Sequence, residues 1–267
     1  MIKKIFILLL VLSVSLFAQI NKHNLDRLKI GALIVKDLNT KHILYSRYAE
    51  KKVSPASLTK VVTALLAIQS GKMNKHVTIT TAMLQVKPTI AGYKRNDVVL
   101  LSDLVKAAMI KSDNDAAKAI AIFLGDGNEK KFIAMMNAKA KQIGMKNTHF
   151  TNPCGFDAKD HYSSPSDLLK MAEYAIRNPL FNSISNTNIH KYTVMRNGKA
   201  QRFTAYTHNH LLQKYQYAVG VKTGYTNKAG ACLIARAKKG GKDCLIVMMN
   251  SKENRWNTAK AIFQQVI

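Results

Sequence analysis

Cysteine is scarce in this chain of 267 residues, and its three cysteines are too few for a disulfide scaffold. The sequence contains no C-x-x-C, no H-E-x-x-H and no glycine-rich cofactor fingerprint. We therefore expect neither a metal ion nor an organic cofactor. Proline and glycine, at 5 and 13 residues, are too few and too scattered for a collagen-like or low-complexity chain. A hydrophobic fraction of 47% indicates a packed core instead.

Acidic residues are the second shortage. Asp and Glu number 15 against 41 Lys and Arg, which gives a formal net charge of +26. The basic residues are spread along the chain without a polybasic block, so we expect no nucleic-acid partner. In an exported chain this charge suits anionic lipid surfaces or a carboxylate-bearing cell wall, while simple solvation of the surface is the alternative.

The one long apolar run lies at the N terminus. Lys3 and Lys4 precede an apolar stretch over residues 5–17, and Ala18 follows it. This order is typical of a secretory signal peptide, which we place at residues 1–18. The run is short for a transmembrane helix, which needs roughly 20 residues. We predict a periplasmic or secreted chain without a stable membrane anchor after cleavage; an uncleaved anchor is the alternative.

Hydrophobic periodicity predicts strands at both ends of the chain and helices between them. Strand patterns occur at 30–37, 42–46, 190–196, 201–206, 217–223, 230–237 and 243–250. Helical patterns occur at 57–70, 102–110, 116–124, 129–143, 165–176 and 254–266. We predict an α+β fold with an antiparallel sheet from both chain ends, flanked by helices, and a mainly helical subdomain inserted over about 72–185. Residues 19–267 would form a single domain without a C-terminal β-domain.

The cysteines fall within the predicted C-terminal strands or in a loop. A hairpin turn at Gly240-Gly241 would place Cys244 opposite Ala237 and leave Cys232 far along the ladder. We therefore expect free thiols.

Three short motifs occur once each and in one order. They are S-x-x-K at Ser57 and Lys60, S-x-N at Ser112 and Asn114, and K-T-G at 222–224. Each alone is weak, because a helix start, a helix cap or a glycine turn explains it equally well. Together they form the signature of penicillin-recognising serine enzymes.

The residue types and spacings fit acyl transfer. Ser57 and Lys60 lie one helical turn apart, so an uncharged Lys60 can take the proton of the Ser57 hydroxyl. A lysine is neutral at physiological pH only if burial or a nearby positive charge, for which Lys222 is a candidate, lowers its pKa. Ser112 would relay a proton to the leaving amine, and Asn114 would bind the substrate backbone.

The K-T-G motif ends a predicted strand. Such a strand edge can pair with an extended peptide. Lys222 and Thr223 could hold a substrate carboxylate, while Gly224 permits a close approach.

These segments resemble the serine-type D-alanyl-D-alanine carboxypeptidases of peptidase family S11, the low-molecular-mass penicillin-binding proteins. The resemblance runs from about residue 28 to 265 and is carried by PASLTK at 55–60, SDND at 112–115, TNPCGFD at 151–157, YSS at 162–164 with Asp167, and GVKTGYT at 220–226. It implies a β-lactamase/transpeptidase-like fold, peptidoglycan stem peptides as substrates and β-lactams as acylating inhibitors.

The resemblance also implies roles for individual residues. Ser57 would be acylated, Lys60 would accept its proton, and the backbone N–H groups of Ser57 and Tyr225 would form the oxyanion hole. Two departures stand out: Tyr225 occupies a position where many relatives have His, and His208 one where some have Arg. The second departure implies weaker or pH-dependent recognition of the carboxylate.

We expect a carboxypeptidase that removes the terminal D-alanine of stem peptides through an acyl-enzyme. A D,D-endopeptidase acting on cross-links has the same chemistry, and a non-catalytic wall-binding or penicillin-sensing module is the alternative of another class. A class A β-lactamase is disfavoured, because none of the four glutamates stands in an E-x-x-L-N motif.

Overall fold

A computed structural model of the chain describes residues 21–267, and the predicted signal peptide lies outside this range. Its larger sheet has five antiparallel strands in the order β2-β1-β9-β8-β7. The strands are β1 (Ile30–Asp37), β2 (Ile43–Arg47), β7 (Ala218–Thr226), β8 (Gly230–Lys239) and β9 (Lys242–Ser251). Because β1 from the start of the chain pairs with β9 from its end, the structure confirms the predicted α+β fold.

The remaining strands form a second sheet. It has the order β3-β4-β5-β6 and comprises β3 (His76–Thr78), β4 (Val98–Leu100), β5 (Ile189–Arg196) and β6 (Lys199–Tyr206). β5 and β6 form a hairpin whose turn residues Asn197 and Gly198 both have positive φ, as a two-residue hairpin turn requires. Because β4 pairs with β5, this sheet joins the inserted region to residues 189–206. The predicted subdomain boundaries themselves stay a prediction.

The helices fill the space around the two sheets. They are α1 (Lys22–Asp26), α2 (Lys60–Gln69), α3 (Thr81–Leu84), α4 (Leu101–Ile110), α5 (Asn114–Leu124), α6 (Glu129–Ile143), α7 (Pro165–Ala175), α8 (Pro179–Ser185), α9 (Leu211–Lys214) and α10 (Arg255–Val266). A short 3-10 helix, Ala56–Thr59, leads into α2. The sequence patterns did not predict α1, α3, α8 and α9, since helices of four to seven residues show no clear period.

The larger sheet separates two apolar cores. Along β1, Ala32 and Ile34 face the helices of the inserted region, while Leu33 and Val35 face α1 and α10. Helix α2 is buried from Lys60 to Ala67, so it runs through the middle of the first core. A helix that is apolar almost all round belongs in such a place. The one charged side chain on this buried stretch, Lys60, therefore calls for a chemical reason.

The β8–β9 hairpin confirms the predicted register. Gly240 and Gly241 both have positive φ, and Cys244 lies opposite Ala237. Cys232 instead lies opposite Gly224 on β7. The three thiols are free and buried. No helix between residues 21 and 267 combines the length and apolarity needed to cross a bilayer.

Candidate active site

The turn before α2 positions Ser57. Ala56 has a φ of 48°, a left-handed conformation that is unusual outside glycine and points to strain at a functional turn. Two glycines pack against this turn. A Cβ on Gly155 would lie 1.8 Å from the Ala56 carbonyl oxygen, and one on Gly224 would lie 3.2 Å from the Ser57 nitrogen. Only glycine at 155 allows the 148–164 loop to approach the turn this closely, and a side chain at 224 would force a small shift of the turn or of β7.

Lys60 lies one turn further on and is fully buried. Its Nζ is 3.0 Å from the Ser57 Oγ, 2.7 Å from the Asn114 Oδ1 and 2.7 Å from the Cys154 carbonyl oxygen. The Asn114 Oδ1 and the Cys154 carbonyl oxygen can only accept a hydrogen bond from the amine. The third, the serine hydroxyl, can donate as well as accept. The arrangement therefore suits a neutral amine that donates twice and keeps its lone pair for the Ser57 proton.

Burial lowers the pKa of Lys60 to about 8, while the negative charges of Asp113 and Asp115 act in the opposite direction. The sequence suggested the charge of Lys222 as a cause of this shift, but burial is what lowers the pKa of Lys60. The pKa of Lys222 itself lies well below the usual lysine value, because of its own burial and the charge of Lys60.

The second wall of the site is the break between α4 and α5. Ser112 has a φ of 68°, and Asn114 is the first residue of α5. The Ser112 Oγ accepts from the Lys222 Nζ at 2.9 Å. The Asn114 Oδ1 accepts a hydrogen bond from the Lys60 Nζ, and the Asn114 Nδ2 donates one to the Lys87 carbonyl oxygen at 3.0 Å. The break therefore connects the lysine of α2 to the lysine of β7.

The third wall is β7, the edge strand of the larger sheet. Lys222, Thr223 and Gly224 are on this strand, and Lys222 is buried beneath the cleft. Tyr225, with 64% of its surface exposed, stands at the rim. An edge strand leaves main-chain groups free to pair with an extended peptide.

The three walls enclose a cleft of about 690 Å³. Six of the eight residues predicted from the sequence line it: Ser57, Ser112, Asn114, Thr223, Gly224 and Tyr225. The other two, Lys60 and Lys222, lie directly beneath and contact lining residues. The structure therefore brings all eight predicted residues together.

Arg255 and Asp157 also line the cleft, although neither was among the predicted site residues. Arg255 at the start of α10 donates from Nη1 to the carbonyl oxygens of Gly224, at 2.8 Å, and Cys232, at 3.1 Å. Asp157 accepts from the Ser54 Oγ at 2.5 Å and the Thr226 Oγ1 at 2.9 Å, which ties the loop to both neighbouring walls. Asp157 is the last residue of the TNPCGFD segment at 151–157 that the sequence analysis noted. Arg255 had no local signal, because only folding brings α10 to β7.

Two other groups at the cleft are uncharged at neutral pH. Partial burial and the charges of Lys222 and Lys111 lower the pKa of His208 to about 4. Burial raises the pKa of the Cys154 thiol to about 11, so this sulfur is not a competing nucleophile. Between residues 21 and 267, no cluster of three His, Cys, Asp or Glu side chains is placed to hold a metal ion.

Comparison with known proteins agrees with this geometry. A sequence model of peptidase family S11, described as D-alanyl-D-alanine carboxypeptidase, matches residues 19–253. The chain belongs to this family. It is therefore a serine-type D,D-peptidase family hydrolase, as the resemblance implied. Family membership fixes the class of chemistry, namely acyl transfer on D-alanyl-D-alanine peptides.

Individual relatives differ in their named activities. The chain is 32% identical to D-alanyl-D-alanine carboxypeptidase DacF of Bacillus subtilis over 95% of its own length and 66% of that protein. It is 30% identical to the D-alanyl-D-alanine endopeptidase of Escherichia coli over 83% of the chain and 71% of that protein. The crystal structure of the Streptomyces K15 DD-transpeptidase superposes with a TM-score of 0.85 at 28% identity, covering 89% of this chain and 97% of that one. The outcome of the reaction is thus not fixed by similarity.

Proposed function

We propose that the chain is a D-alanyl-D-alanine carboxypeptidase that removes the terminal D-alanine of peptidoglycan stem peptides through an acyl-enzyme on Ser57. The observation that carries this proposal is the 3.0 Å contact between the Ser57 Oγ and the Nζ of a fully buried Lys60. A hydroxyl that faces a cleft with a largely dehydrated amine behind it is an activated nucleophile. β-Lactams, which present a strained amide to the same serine, would acylate it too.

Acylation begins with neutral Lys60. The amine takes the Ser57 proton while Oγ bonds to the carbonyl carbon of the penultimate residue. The oxyanion would lie between the backbone N–H groups of Ser57 and Tyr225, a pairing supported by the close packing of Gly224 on the Ser57 nitrogen. Asn114, already fixed by Lys60 and the Lys87 carbonyl, would orient the substrate backbone.

The leaving amine needs a proton before the C–N bond breaks. Ser112 is placed to deliver it, because its Oγ is bonded to the buried Lys222 Nζ. Ser112 would give its hydroxyl proton to the amine nitrogen and take in exchange the proton that Lys60 removed from Ser57. The C–N bond then breaks, D-alanine leaves with a neutral amine, and Lys60 is neutral again. Water then attacks the ester, with Lys60 again as the base, and regenerates Ser57.

The terminal carboxylate would lie at Thr223 and Lys222. Thr223 lines the cleft, and Lys222 lies behind Ser112. Burial lowers the pKa of Lys222, and the negative charge of a bound carboxylate would favour the protonated form that pairs with it. Neutral His208 would contribute a hydrogen bond and no charge. Arg255 supports the strand at Gly224 and adds positive charge to the same end of the cleft.

Substrate and compartment follow from the same proposal. D-alanyl-D-alanine peptides occur in the cell wall, so the predicted signal peptide at 1–18 and a periplasmic or secreted location fit the chemistry. The basic surface suits a polymer that carries carboxylates.

A D,D-endopeptidase is the second candidate, favoured by the Escherichia coli relative of that name. One experiment separates the two: release of D-alanine from a stem pentapeptide, run beside hydrolysis of a cross-linked dimer. We expect faster release from the pentapeptide, with Ser57→Ala inactive on both and the exposed, remote Ser183→Ala retaining full activity. Faster cleavage of the dimer would assign the endopeptidase. A stable penicillin adduct without turnover of either peptide would indicate a sensing module.

A further inference from the structure

A groove on the side of the molecule away from the catalytic cleft has no part in the proposed reaction. It consists of two adjoining cavities of about 610 and 490 Å³, which share Lys36 and Glu173. None of the described residues that line this distal groove also lines the cleft. The groove borders β2 and the cleft borders β7, which are the opposite edges of the larger sheet. Four strand spacings of about 4.8 Å place these edges about 19 Å apart.

One wall of the distal groove is a face of α7 and the two residues that follow it. The lining residues recur every three or four positions, as residues on one side of a helix do. They are Ser166, Leu169, Lys170, Glu173, Ile176 and Arg177. The eleven residues of α7 rise about 1.5 Å each, which makes this wall about 16 Å long. With β1 and β2 as the facing wall, the groove has the shape of a track for an extended chain.

The acidic residues of the distal groove are largely neutralised. The Glu173 Oε1 lies 2.6 Å from the Lys36 Nζ. The Asp243 Oδ1 accepts from the Arg236 Nε at 2.8 Å, and the two side chains are only 15% and 9% exposed. Among the described acids that line the groove, Glu50 alone has no cationic partner. A negatively charged ligand therefore meets little repulsion here.

Three cations of the distal groove are free to bind such a ligand. Lys51 lines the first cavity, and Lys41 and Arg177 line the second. All three are exposed, and none forms an ion pair with an acidic residue between positions 21 and 267. The lysine-rich β8–β9 turn adds positive charge, because the small cavity at this turn shares Asp243 with the second cavity. Free positive charge thus lies along both cavities.

The first cavity also has exposed apolar surface. Ile43 and Tyr48 line it, and they are 47% and 66% exposed. Exposed apolar side chains that lie together mark a binding surface. The matching ligand is an extended chain that combines carboxylates with apolar faces. Peptidoglycan has these features, since its sugar rings and alanine methyl groups offer apolar faces and every uncut stem peptide ends in a carboxylate.

We propose that the distal groove is a second, non-catalytic binding site for peptidoglycan, in which Lys41, Lys51 and Arg177 hold carboxylates of stem peptides. The proposal rests on the proposed function and adds how the chain stays on its polymeric substrate. A strand held in the groove would keep its other stem peptides at a high effective concentration near Ser57. A pentapeptide extends over roughly 17 Å at about 3.3 Å per residue, so it cannot occupy both sites. The groove would therefore act on the polymer alone.

The test is co-sedimentation with insoluble peptidoglycan sacculi, with Ser57→Ala as the parent chain so that the polymer stays intact. The triple variant Lys41→Gln, Lys51→Gln, Arg177→Gln should bind about tenfold more weakly than this parent, because each exposed ion pair changes affinity only a few-fold. The ratio of the two affinities should fall to about one in about 1 M salt, where charges are screened beyond about 3 Å. Amidation of the sacculus carboxylates should have the same effect.

The matched control removes three positive charges from exposed positions outside both sites. It carries Lys72→Gln, Lys130→Gln and Lys141→Gln, and it should bind like the parent. Equal weakening in both triple variants would mean that net charge alone holds the chain on the polymer, and would overturn the inference. So would unchanged binding of the groove variant to sacculi, or a loss seen only with phosphatidylglycerol vesicles.

Activity with Ser57 restored separates this inference from the proposed function. The groove variant should release D-alanine from a soluble pentapeptide at the wild-type rate, which also shows that it is folded, and more slowly from sacculi. If the triple variant does not fold, the three single variants should each weaken sacculus binding a few-fold. Should the wild-type chain release no D-alanine from the pentapeptide, the proposed function fails, and sedimentation still decides whether the groove binds the polymer.

Discussion

Two regions of the molecule contain the same pair of groups and differ in what surrounds them. At the start of α2, buried Lys60 contacts Ser57 at 3.0 Å. At the α4–α5 break, buried Lys222 contacts Ser112 at 2.9 Å. Ser57 is partly exposed to the cleft, whereas Ser112 is buried. The comparison teaches that a lysine and a serine do not define a nucleophile by themselves; exposure of the hydroxyl and the other partners of the amine do.

The largest expected effect tests which serine is acylated. Ser57→Ala should abolish labelling by a fluorescent penicillin, because the Ser57 hydroxyl is partly exposed to the cleft with the buried Lys60 amine behind it, whereas Ser112 is buried. Ser112→Ala should still be labelled, at a reduced rate. The measurement is gel fluorescence over time. Labelling that persists in Ser57→Ala, or disappears completely in Ser112→Ala, would reverse the roles of the two regions.

Removal of the Lys60 amine should have the second largest effect on acylation. Lys60→Ala should slow acylation by about 10²–10⁴-fold, the usual contribution of a positioned general base. The loss should be alike for penicillins and peptides, since every acylation needs the same proton transfer. Stopped-flow or time-resolved labelling measures the rate, and circular dichroism verifies the fold. Acylation at the wild-type rate would contradict the role of Lys60 as the base.

Substitution of Lys222 should affect some substrates more than others, whereas substitution of Lys60 should affect all of them alike. Lys222→Ala should lower kcat/KM for a peptide with a free terminal carboxylate by roughly 10–100-fold more than for its methyl ester, because the charge that it contributes acts on that carboxylate. The matched control is Lys242→Ala on the exposed β8–β9 turn, which should change neither. Equal losses for acid and ester would count against carboxylate recognition by Lys222.

The smallest effect is the pH dependence of acylation. The pKa of Lys60 is lowered to about 8, and only its neutral form can accept the Ser57 proton. The second-order rate constant for acylation by a neutral ester should therefore rise with pH, by about tenfold between pH 7 and a plateau above pH 8. The rate constant is measured over a series of pH values with the ester, and the series is repeated with a β-lactam as a second acylating reagent. A flat profile from pH 6 to 9 would show that Lys60 is not titrating in this step.

Much of the fold followed from local pattern. The apolar alternation of β1 and the helical period of α2 predicted these elements because their side chains pack on fixed faces. Strands β5 and β6 were predicted as strands, but their membership of a second sheet was not, because pairing partners are chosen by packing over long sequence distances. The short helices α1, α3, α8 and α9 were not predicted, because so few residues show no hydrophobic period.

The candidate site likewise has one part that the sequence predicted and another that it did not. Its eight predicted residues lie in motifs whose spacing reflects one helix turn, one loop and one strand end. Arg255 has no such spacing. Its position depends on α10 meeting β7.

The amino-acid order by itself determined the chemical groups, their approximate elements and the family, since motif spacing and hydrophobic period are properties of short segments. Only the tertiary structure decided that Lys60 is buried behind Ser57 and Lys222 behind Ser112, both with lowered pKa values, because a pKa depends on burial and on charges brought in from distant segments. It also decided that a second cavity of about 460 Å³ shares Lys87, Cys154 and Phe156 with the cleft. A cavity is the space left between packed elements, and no single segment encodes it.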